Sequence, residues 1–334
     1  MTKDQKNAII LGAAGRDYWN FLQYFKNNPN YKVAAFTQTQ IPGIAKRKFP
    51  KKLAGRLYKH DIPFYPEEKL PGLMKKFNVD EVVFSYSDVS HEHVMHLASI
   101  VLANGADFVL LGPKSTMIKS KKPVIAVCAV RTGAGKSQTS RAVAQIIKAH
   151  GRKAIGVRHS MPYGDLLRQN VQKFASEKDF FKYNTTIEEE EEYQPWIDKG
   201  FVIYAGVDYK AILEKAEKEA DIIVWDGGNN DLPFYKPDLH IVVADPHRAG
   251  HELLYHPGEA NFRMADVIVV NKVDSAKKGN IKIVRDNIKK YNPRAYVILA
   301  KSELVVDKPN LIKNKKCLVV GDGPTLSHGG MAFG

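Results

Sequence analysis

The stretch that decides the fold is PVIAVCAVRTGAGKS, residues 123–137. Its first half is an apolar strand, and its second half is a glycine-rich turn that ends in Gly-Lys-Ser ahead of a helical pattern. Gly133 and Gly135 let the backbone pass close to phosphate oxygens and present N–H groups to them. Lys136 would then reach the outer phosphates, and the Ser137 hydroxyl would bind Mg2+. The stretch therefore predicts a nucleotide phosphate site.

This loop departs from the common spacing of such sites. The first glycine of G-x-x-x-x-G-K-S would fall at position 130, which is valine here. The loop instead carries Arg131 five residues before Lys136, as in one branch of P-loop proteins. We expect Arg131 to contact phosphate. In a dimer, it could reach the phosphate bound by the other subunit. Lys136 is expected to be exposed, so that its removal leaves the fold intact. The alternative is a chance Gly-Lys-Ser in a surface turn, which the flanking strand and helix disfavour.

The composition is that of a globular chain. At 334 residues it is long enough for about two domains. No apolar run approaches the roughly 18–20 residues that span a bilayer. The N-terminal residues lack the features of a secretory signal, so we expect a cytoplasmic location and no membrane partner. Cys128 and Cys317 lie in apolar runs and are expected to be buried free thiols.

The formal net charge is +14. A nucleic-acid partner, anionic small molecules and a lysine-rich surface are each compatible with this value, and composition alone does not choose between them. The basic residues concentrate at 46–59, which is interpreted as a solvated loop, with a polyanion contact as the alternative. No nucleic-acid motif accompanies this run, so we expect no nucleic-acid partner.

Short apolar runs alternate with helical segments along most of the chain. This alternation predicts an α/β protein, with a Rossmann-like parallel sheet in residues 1–113, a lysine-rich linker at 114–122 and a P-loop NTPase domain in 123–334. Near-continuous Val and Ile content predicts a mostly parallel sheet covered by helices in the second domain. Five glutamates at 188–192 favour a charged helix start over a metal site. The predicted strands are 8–11, 33–36, 81–84, 107–111, the run before the P-loop, 153–158, 201–204, 221–226, 239–245, 267–271, 296–300 and 317–320.

A second glycine turn, LGAAGR, follows the first predicted strand and ends at Arg16. Gly12 and Gly15 have the G-x-x-G spacing, but the third glycine of the dinucleotide fingerprint and the acidic residue that would hold a ribose are missing. Three interpretations stay open: a cofactor site, a site for a phosphate or carboxylate of the substrate, and a turn that serves only packing.

Two aspartates end buried strands of the second domain. Asp226 follows the run 222–225, where open parallel sheets place their ligands, and suits a Walker B carboxylate that holds Mg2+; a capping aspartate is the alternative. Asp245 follows the run 241–244 and precedes Pro-His-Arg248. Arg248 either neutralises phosphoryl charge or forms a structural ion pair.

Two further segments point to the nucleotide. Residues 271–274 read NKVD, the N-K-x-D form that hydrogen-bonds guanine, at the expected distance beyond the P-loop. Residues 158–165 leave the second strand of the domain, where P-loop proteins keep a loop that senses the terminal phosphate. Asp165 is a candidate for contact with water or Mg2+, and Arg158 and His159 are candidates for binding the charge of the acceptor.

Long motifs of this chain resemble the cyclic 2,3-diphosphoglycerate synthetase family, and the resemblance covers essentially all of it. The motifs are GAAGRD at 12–17, QIPG at 40–43, SYSDVSH at 85–91, LGP at 111–113, AVCAVRTGAGKSQTSR at 126–141, MPYGD at 161–165, WDGGNND at 225–231 and DGPTL at 322–326. The resemblance implies ATP-driven closure of a phosphoanhydride between the two phosphates of 2,3-diphosphoglycerate, with Mg2+ and help from K+. Members of the family usually continue past the position of Gly334, so the P-loop domain is expected to be truncated.

The combined prediction is an ATP-dependent ligase, with a homodimer and a phosphorylated small-molecule substrate expected. The +14 charge and the cationic candidates would screen the repulsion between two phosphates. Alternatives are a P-loop GTPase of regulatory function and a nicotinamide-binding module that uses the Gly12 turn. The candidate catalytic residues are Lys136, Arg131, Asp226, Arg158 and Arg248; the nucleotide (ATP or GTP) candidates are Gly133, Ala134, Gly135, Lys136, Ser137, Gln138, Asn271, Lys272 and Asp274; the metal candidates are Ser137, Asp226 and Asp165; and the substrate candidates are Gly12, Arg16, Arg158 and His159.

Overall fold

The fold is that of a computed structural model, which describes residues 5–12, 15–39, 47–159, 162, 164–303 and 305–318. Within these residues, no helix has the length and apolar character needed to cross a membrane.

Two parallel sheets, each flanked by helices, form the described part of the chain. The strands, in chain order, are β1 Lys6–Gly12, β2 Tyr31–Gln38, β3 Lys48–Phe49, β4 Ile62–Pro66, β5 Glu81–Phe84, β6 Val89–Ser90, β7 Asp107–Leu110, β8 Val124–Ala129, β9 Ala154–Arg158, β10 Val171–Phe174, β11 Val202–Gly206, β12 Ile222–Asp226, β13 Leu239–Ala244, β14 Tyr255–His256, β15 Val267–Val270 and β16 Tyr296–Leu299. The α-helices are α1 Arg16–Asn20, α2 Lys51–Ala54, α3 Leu70–Phe77, α4 His91–Ala103, α5 Pro113–Thr116, α6 Lys136–Ala149, α7 Lys178–Tyr183, α8 Ile187–Ile197, α9 Tyr209–Ala216, α10 Gly258–Met264 and α11 Lys278–Tyr291. A π-helical turn, Phe21–Phe25, continues α1, and short 3-10 turns lie at Glu67–Lys69, Pro246–Arg248, His251–Leu253 and Pro309–Leu311.

The first sheet has the order β3-β4-β2-β1-β5-β7 and is parallel except for the β3–β4 pair. The second has the order β10-β11-β9-β12-β8-β13-β15-β16 and is parallel except for the β10–β11 pair. The central strands β8, β9, β12 and β13 are almost wholly buried, as their Val and Ile content requires. The predicted α/β class, with a Rossmann-like sheet followed by a P-loop sheet, is confirmed.

The predicted strands up to residue 300 are all present, with ends that differ by up to two residues. The last one, 317–320, lies partly outside the described residues, and Cys317 and Leu318 are not in a strand. Cys317 is exposed, so the prediction that its thiol is buried is wrong, whereas Cys128 is buried as expected. The glutamate run does begin a helix: α8 starts with a capping box, in which Thr186 and Glu189 bond each other's backbone N–H.

The two sheets are joined by side chains from the N-terminal half. Trp19 of α1 is fully buried in the core of the second sheet, stacked on Phe234 with ring centroids 4.7 Å apart, and its Nε1 donates to the carbonyl of Thr116. A two-stranded antiparallel pair, β6 with β14, also connects the halves. The predicted linker 114–122 is thus partly packed, since α5 and Thr116 lie in this contact. As a result, the carboxyl ends of strands from both sheets reach the same region.

Candidate functional site

The glycine-rich turn lies between β8 and α6, where the sequence places it. Gly133 and Gly135 have positive φ, 72° and 103°, which glycine adopts without steric cost. Lys136 begins the 14-residue helix α6, so the turn presents free backbone N–H groups at a helix N-terminus. The backbone has the form that the phosphate prediction requires.

Lys136 is buried, contrary to the expectation that it is exposed. Its Nζ lies 2.5 Å from Oδ1 of Asp226 at the end of β12. The same oxygen accepts a hydrogen bond from the hydroxyl of Ser140 at 2.9 Å. Burial opposes ionisation of Asp226, but Lys136 and Arg158 outweigh it and lower the pKa of this carboxyl to about 2. Asp226 is therefore a carboxylate at neutral pH, at the position expected of Walker B.

The N-K-x-D segment contacts the turn directly. Nδ2 of Asn271 donates to the carbonyl of Ala134 at 2.9 Å, and Nζ of Lys272 donates to the carbonyl of Gly133 at 2.8 Å. A Cβ at position 135 would overlap the Asn271 amide, so the close approach requires glycine there. Asp274 is exposed and accepts from the backbone N–H of Ser302. Asn271 and Lys272 thus fix the loop, and the role of Asp274 in binding a base stays a prediction.

Arg158 at the end of β9 connects the turn to the space between the sheets. Its guanidinium forms a bidentate ion pair with Glu192 of α8, with N–O distances of 2.5 and 3.0 Å. It also donates to the carbonyl of Gly227 and lies 3.4 Å from Asp226. Although burial opposes the charge, Glu192 and Asp226 raise the pKa of Arg158. The arginine is therefore a fixed cation at the boundary between the P-loop and the neighbouring pocket.

This pocket lies between the carboxyl ends of β1, β5, β9 and β12, which is where open parallel sheets bind ligands. Its charged side chains are two arginines, Arg16 and Arg158, and two carboxylates, Glu192 and Asp231. The residues that line it are Gly15, Arg16, Ser85, Tyr86, Ser87, Arg158, His159, Glu192, Gly228, Asn229 and Asp231. The structure thus brings three substrate candidates together, Arg16, Arg158 and His159, and adds two acidic residues that the sequence analysis did not assign.

His159 is buried in this pocket as a neutral imidazole. Burial lowers its pKa well below the usual value, and the charges of Arg16, Arg158 and Lys136 lower it further. The ring lies 4.5 Å from that of Phe234 between centroids, and neither ring nitrogen has a hydrogen-bond partner within the described residues. Both ring nitrogens of His159 therefore lack a hydrogen bond to the described part of the chain, and they can donate to or accept from a ligand.

The turn after β1 does not offer Gly12 to a ligand. A Cβ at Gly12 would overlap the carboxylate of Asp17, which accepts a hydrogen bond from the N–H of Gly15 at 2.6 Å. An internal carboxylate therefore lies where a phosphate would need to approach Gly12. Arg16 extends from the same turn and donates to the carbonyl of Leu232 at 2.9 Å.

The remaining candidates have partners that the sequence did not predict. Arg131 lies 2.7 Å from Asp88 of the first half and stacks 3.5 Å above the ring of Tyr255. Arg248 pairs with Asp245 and donates to the carbonyl of Thr132, consistent with the structural ion pair that was one of the two interpretations.

Two other predicted site residues are at the surface. Asp165 is exposed and accepts from the backbone N–H of Leu167, and Gln138 is exposed on α6. For Arg131, Arg248, Asp165 and Gln138, the assigned roles in binding phosphate, metal or nucleotide stay predictions.

The residues missed by the sequence analysis are Asp88, Glu192 and Asp231. Asp88 and Asp231 belong to the motifs SYSDVSH and WDGGNND, but their partners lie far away along the chain, so spacing gave no sign of the pairing. Glu192 was assigned only to a helix start.

Mg2+ would fit beside the Ser137 hydroxyl and the Asp226 carboxylate, because both are oxygen donors next to the phosphate turn. The residues that the structure describes contain no group of three or more His, Cys, Asp or Glu side chains that could hold a metal by themselves. A two-donor site of this kind is typical of Mg2+ that shares its coordination with nucleotide phosphates.

No protein-family model matches the chain. Among solved structures it is similar to LpxK from Aquifex aeolicus in complex with ATP, at 15% identity over 46% of this chain and 49% of that one, with a TM-score of 0.35. It is also similar to the hydrogenase maturation factor HypB from Archaeoglobus fulgidus, at 19% identity over 56% of this chain and 82% of that one, with a TM-score of 0.33.

A curated relative is much more similar. It is the arginine synthetase ArcE from Thermococcus kodakarensis, which is 62% identical over 332 residues, 99% of this chain and 74% of the relative. Together with the motifs that run from the Gly12 turn to the end of β12, this identity shows that the chain belongs to the cyclic 2,3-diphosphoglycerate synthetase family, of which ArcE is a member.

Proposed function

We propose that this protein is an ATP-dependent synthetase that converts a ureido group into a guanidino group with ammonia, and so makes arginine from citrulline. The name of the ArcE relative, an arginine synthetase 62% identical over almost the whole chain, supports arginine as the product. Citrulline is the ureido counterpart of arginine, and the P-loop supports ATP as the source of driving force.

The observation that carries the proposal is the balance of charge in the pocket. Arg16 and Arg158 face Glu192 and Asp231 there, so among the described lining residues arginines and carboxylates are equal in number. An amino acid carries a carboxylate and an ammonium group, so it can exchange ion pairs with a site that holds paired charges of both signs and leave no charge unpaired, although each pair in the pocket must open to admit it. A bisphosphate with about four negative charges would instead need an excess of cations.

The chemistry divides into two steps. In the first, the ureido oxygen of citrulline attacks the γ-phosphorus of ATP, so that an O–P bond forms, the bond to the β-phosphate oxygen breaks and ADP leaves. In the second, the nitrogen of ammonia attacks the ureido carbon, and the C–O bond breaks with its electron pair leaving on inorganic phosphate. Citrulline, ammonia and ATP thus give arginine, ADP and phosphate.

Each step has residues suited to it. The buried Lys136 and the helix N-terminus at the P-loop stabilise charge on the transferring phosphoryl group. Arg158 is fixed between this group and the pocket, 3.4 Å from Asp226. Its guanidinium can therefore stabilise negative charge on the phosphoryl group as this group passes to the acceptor. Ser137 and Asp226 would hold Mg2+, which neutralises phosphate charge when bound.

A second candidate is closure of the phosphoanhydride of cyclic 2,3-diphosphoglycerate, which the motif resemblance favours. The cations that this reaction would need are each next to a carboxylate: Lys136 with Asp226, Arg158 with Glu192, Arg131 with Asp88, Arg248 with Asp245 and Arg16 with Asp231. This pairing leaves little net positive charge for two phosphates, so we rank the candidate second.

One incubation series separates these functions. The protein, ATP and Mg2+ are supplied with citrulline and ammonium, with 2,3-diphosphoglycerate, or with neither, in the presence and absence of K+. We expect arginine by mass spectrometry and equal amounts of ADP only in the first case. A cyclic anhydride signal in phosphorus NMR without arginine would move the second candidate to first place, and hydrolysis of GTP or ATP that needs neither acceptor would support the GTPase alternative.

A further inference from the structure

Asp231 has one carboxylate oxygen that forms no hydrogen bond with any residue in the described ranges. The side chain is 3% exposed, and its Oδ1 accepts from the backbone N–H of Leu232 at 2.8 Å and lies 3.4 Å from Arg16. Its Oδ2 has no hydrogen-bond partner within the described residues and lies 3.6 Å from Nδ1 of His159. A buried acceptor without a partner is costly, and so it indicates a ligand that completes it.

The unused nitrogens of His159 lie beside this oxygen because two glycines make room for the ring. A Cβ at Gly15 would lie 2.8 Å from Nε2, and a Cβ at Gly228 would lie 2.8 Å from Nδ1. The ring is also held against Phe234 and Trp225. The imidazole is therefore fixed in place by both halves of the chain, with an acceptor nitrogen available to a small donor.

Next to Asp231 is a second, smaller cavity. It has a volume of about 20 Å3 and is lined by Asp231, Arg16, Ser85 and Tyr86, which also line the substrate pocket, together with residues such as Asn20 and His256. About 10–15 Å3 suffices for one water molecule. Ammonia has nearly the same size as water, so this cavity can hold one ammonia molecule next to Asp231, which connects the cavity to the substrate pocket where His159 lies.

We propose that Asp231 and His159 form the ammonia subsite of the synthetase, in which Asp231 binds the incoming ammonium ion through Oδ2 and takes a proton from it. The inference rests on the proposed function. As the proton moves to Oδ2, the nitrogen gains the lone pair that forms the C–N bond to the activated ureido carbon. The C–O bond breaks in the same step with its electron pair on phosphate, which takes a second proton from the attacking nitrogen, and the proton on Asp231 leaves for solvent after phosphate departs. His159 accepts an N–H bond from the ammonium ion and orients it.

The charges around Asp231 are compatible with this role. Burial raises the pKa of Asp231 to about 6, and the nearby Arg16 opposes the rise, so the carboxylate is ionised at neutral pH but is a stronger base than an exposed aspartate. Burial and neighbouring cations lower the pKa values of His159 and His256, so both stay neutral from pH 7 to 9. Across the pocket, Arg158 and Glu192 pair with each other.

The first test compares two nucleophiles in Asp231→Asn. Ammonia is mostly protonated at neutral pH, whereas hydroxylamine is not and needs no base to free its lone pair. At pH 7 we expect the variant to lose about a hundredfold in kcat/KM for ammonium, the usual contribution of a general base, while turnover with hydroxylamine falls only severalfold. The matched control is Asp179→Asn, in which a half-buried aspartate that caps a turn away from the pocket is replaced by an equally good cap and both rates stay unchanged.

Equal losses with both nucleophiles in a variant that folds, as judged by circular dichroism, would overturn the proposal and make Asp231 a structural residue. If the variant does not fold, the wild-type protein decides the matter. If the subsite binds ammonium, kcat/KM calculated from the summed concentration of ammonium and ammonia should stay nearly constant between pH 7 and 9, because ammonium is the main form over this range. A rise of about tenfold per pH unit over this range would show direct use of free ammonia and would also overturn it. If wild-type protein yields a guanidino product from neither nucleophile, the proposed function itself fails, and the inference with it.

Discussion

Nζ of Lys136 and Oδ1 of Asp226 lie 2.5 Å apart, with both side chains buried. The P-loop cation and the Walker B carboxylate therefore neutralise each other before a nucleotide binds. Burial lowers the pKa of Lys136, and the adjacent Arg158 lowers it further, while Asp226 opposes the shift. The pair holds the phosphate turn against the end of β12, so this contact should stabilise the loop.

Replacing Lys136 by Met should abolish turnover and also destabilise the protein. It leaves Asp226 buried without its closest cation, with Arg158 remaining at 3.4 Å, and breaking a buried pair costs about 3 kcal/mol. The double variant Lys136→Met, Asp226→Asn should regain most of this loss without regaining activity. Urea unfolding of the three proteins measures the effect, and single variants that keep wild-type stability would contradict the coupling.

The free energy of unfolding should depend on pH through Asp231. Burial raises the pKa of Asp231 in the folded protein to about 6, above the 3.8 of an exposed aspartate, so the native state binds the proton more tightly and ionisation costs stability. As pH rises from 3 to 7, wild type should lose about 3 kcal/mol relative to Asp231→Asn, at 1.36 kcal/mol per pKa unit. Urea titrations of both proteins at several pH values measure this difference. A constant difference would mean that Asp231 has an ordinary pKa.

Much of the fold could be predicted because its signals are local. Runs of Val and Ile mark β8, β12, β13 and β15, and the glycine turn marks the start of α6. Three strands were not predicted: β3 and β10 are short strands at the sheet edges, and β3 and β4 contain or adjoin lysine and proline. The basic run around residue 50 is consequently not a plain loop, since Phe49 and Ala54 in it are fully buried.

The candidate site was predicted less completely because its chemistry depends on pairs that the fold brings together. Asp88 and Arg131 are 43 residues apart, and Glu192 and Arg158 are 34 apart. Before the fold is known, Arg131 and Arg158 look like free cations suited to a bisphosphate. Both have carboxylate partners, and Glu192, the partner of Arg158, changes the charge of the pocket and, with it, the substrate that the pocket suits.

Arg131 should act within its own chain. Its guanidinium pairs with Asp88 and stacks on Tyr255, both in the same chain, so it connects the P-loop to the first sheet. Arg131→Ala should therefore weaken both stability, by about 3 kcal/mol, and turnover. Mixing this variant with Lys136→Ala protein should restore no activity. Recovery in a preparation shown to exchange subunits would instead support a role for Arg131 across a dimer.

Gly228→Ala should displace His159 without disturbing the nucleotide site. The added Cβ would lie 2.8 Å from Nδ1 of the imidazole and 3.0 Å from the carbonyl of the same residue. We expect the rate of synthesis to fall at least about tenfold, whereas the affinity for ATP should stay within about twofold of wild type. Misplacing a group next to the reacting atoms slows the reaction, but it does not affect binding at a separate site. Gly279→Ala on α11 is the control: its Cβ would meet nothing within 4 Å, and the helix should gain up to about 1 kcal/mol.

The choice of base is the last prediction. Asn271 and Lys272 donate to backbone carbonyls of the P-loop, as the first two residues of an N-K-x-D segment can, and this favours guanine as the base. The proposed synthetase reaction instead favours ATP. Asp274 is exposed and already accepts a hydrogen bond from Ser302, so water competes for its carboxylate and its discrimination is weak. We expect ATP and GTP to bind within about tenfold of each other, which corresponds to 1.4 kcal/mol, and ATP to support synthesis at least as well. Competition of both nucleotides against a fluorescent analogue, with Asp274→Asn alongside, measures this. A GTP preference well above tenfold that disappears in the variant would reverse the assignment and favour the GTPase alternative.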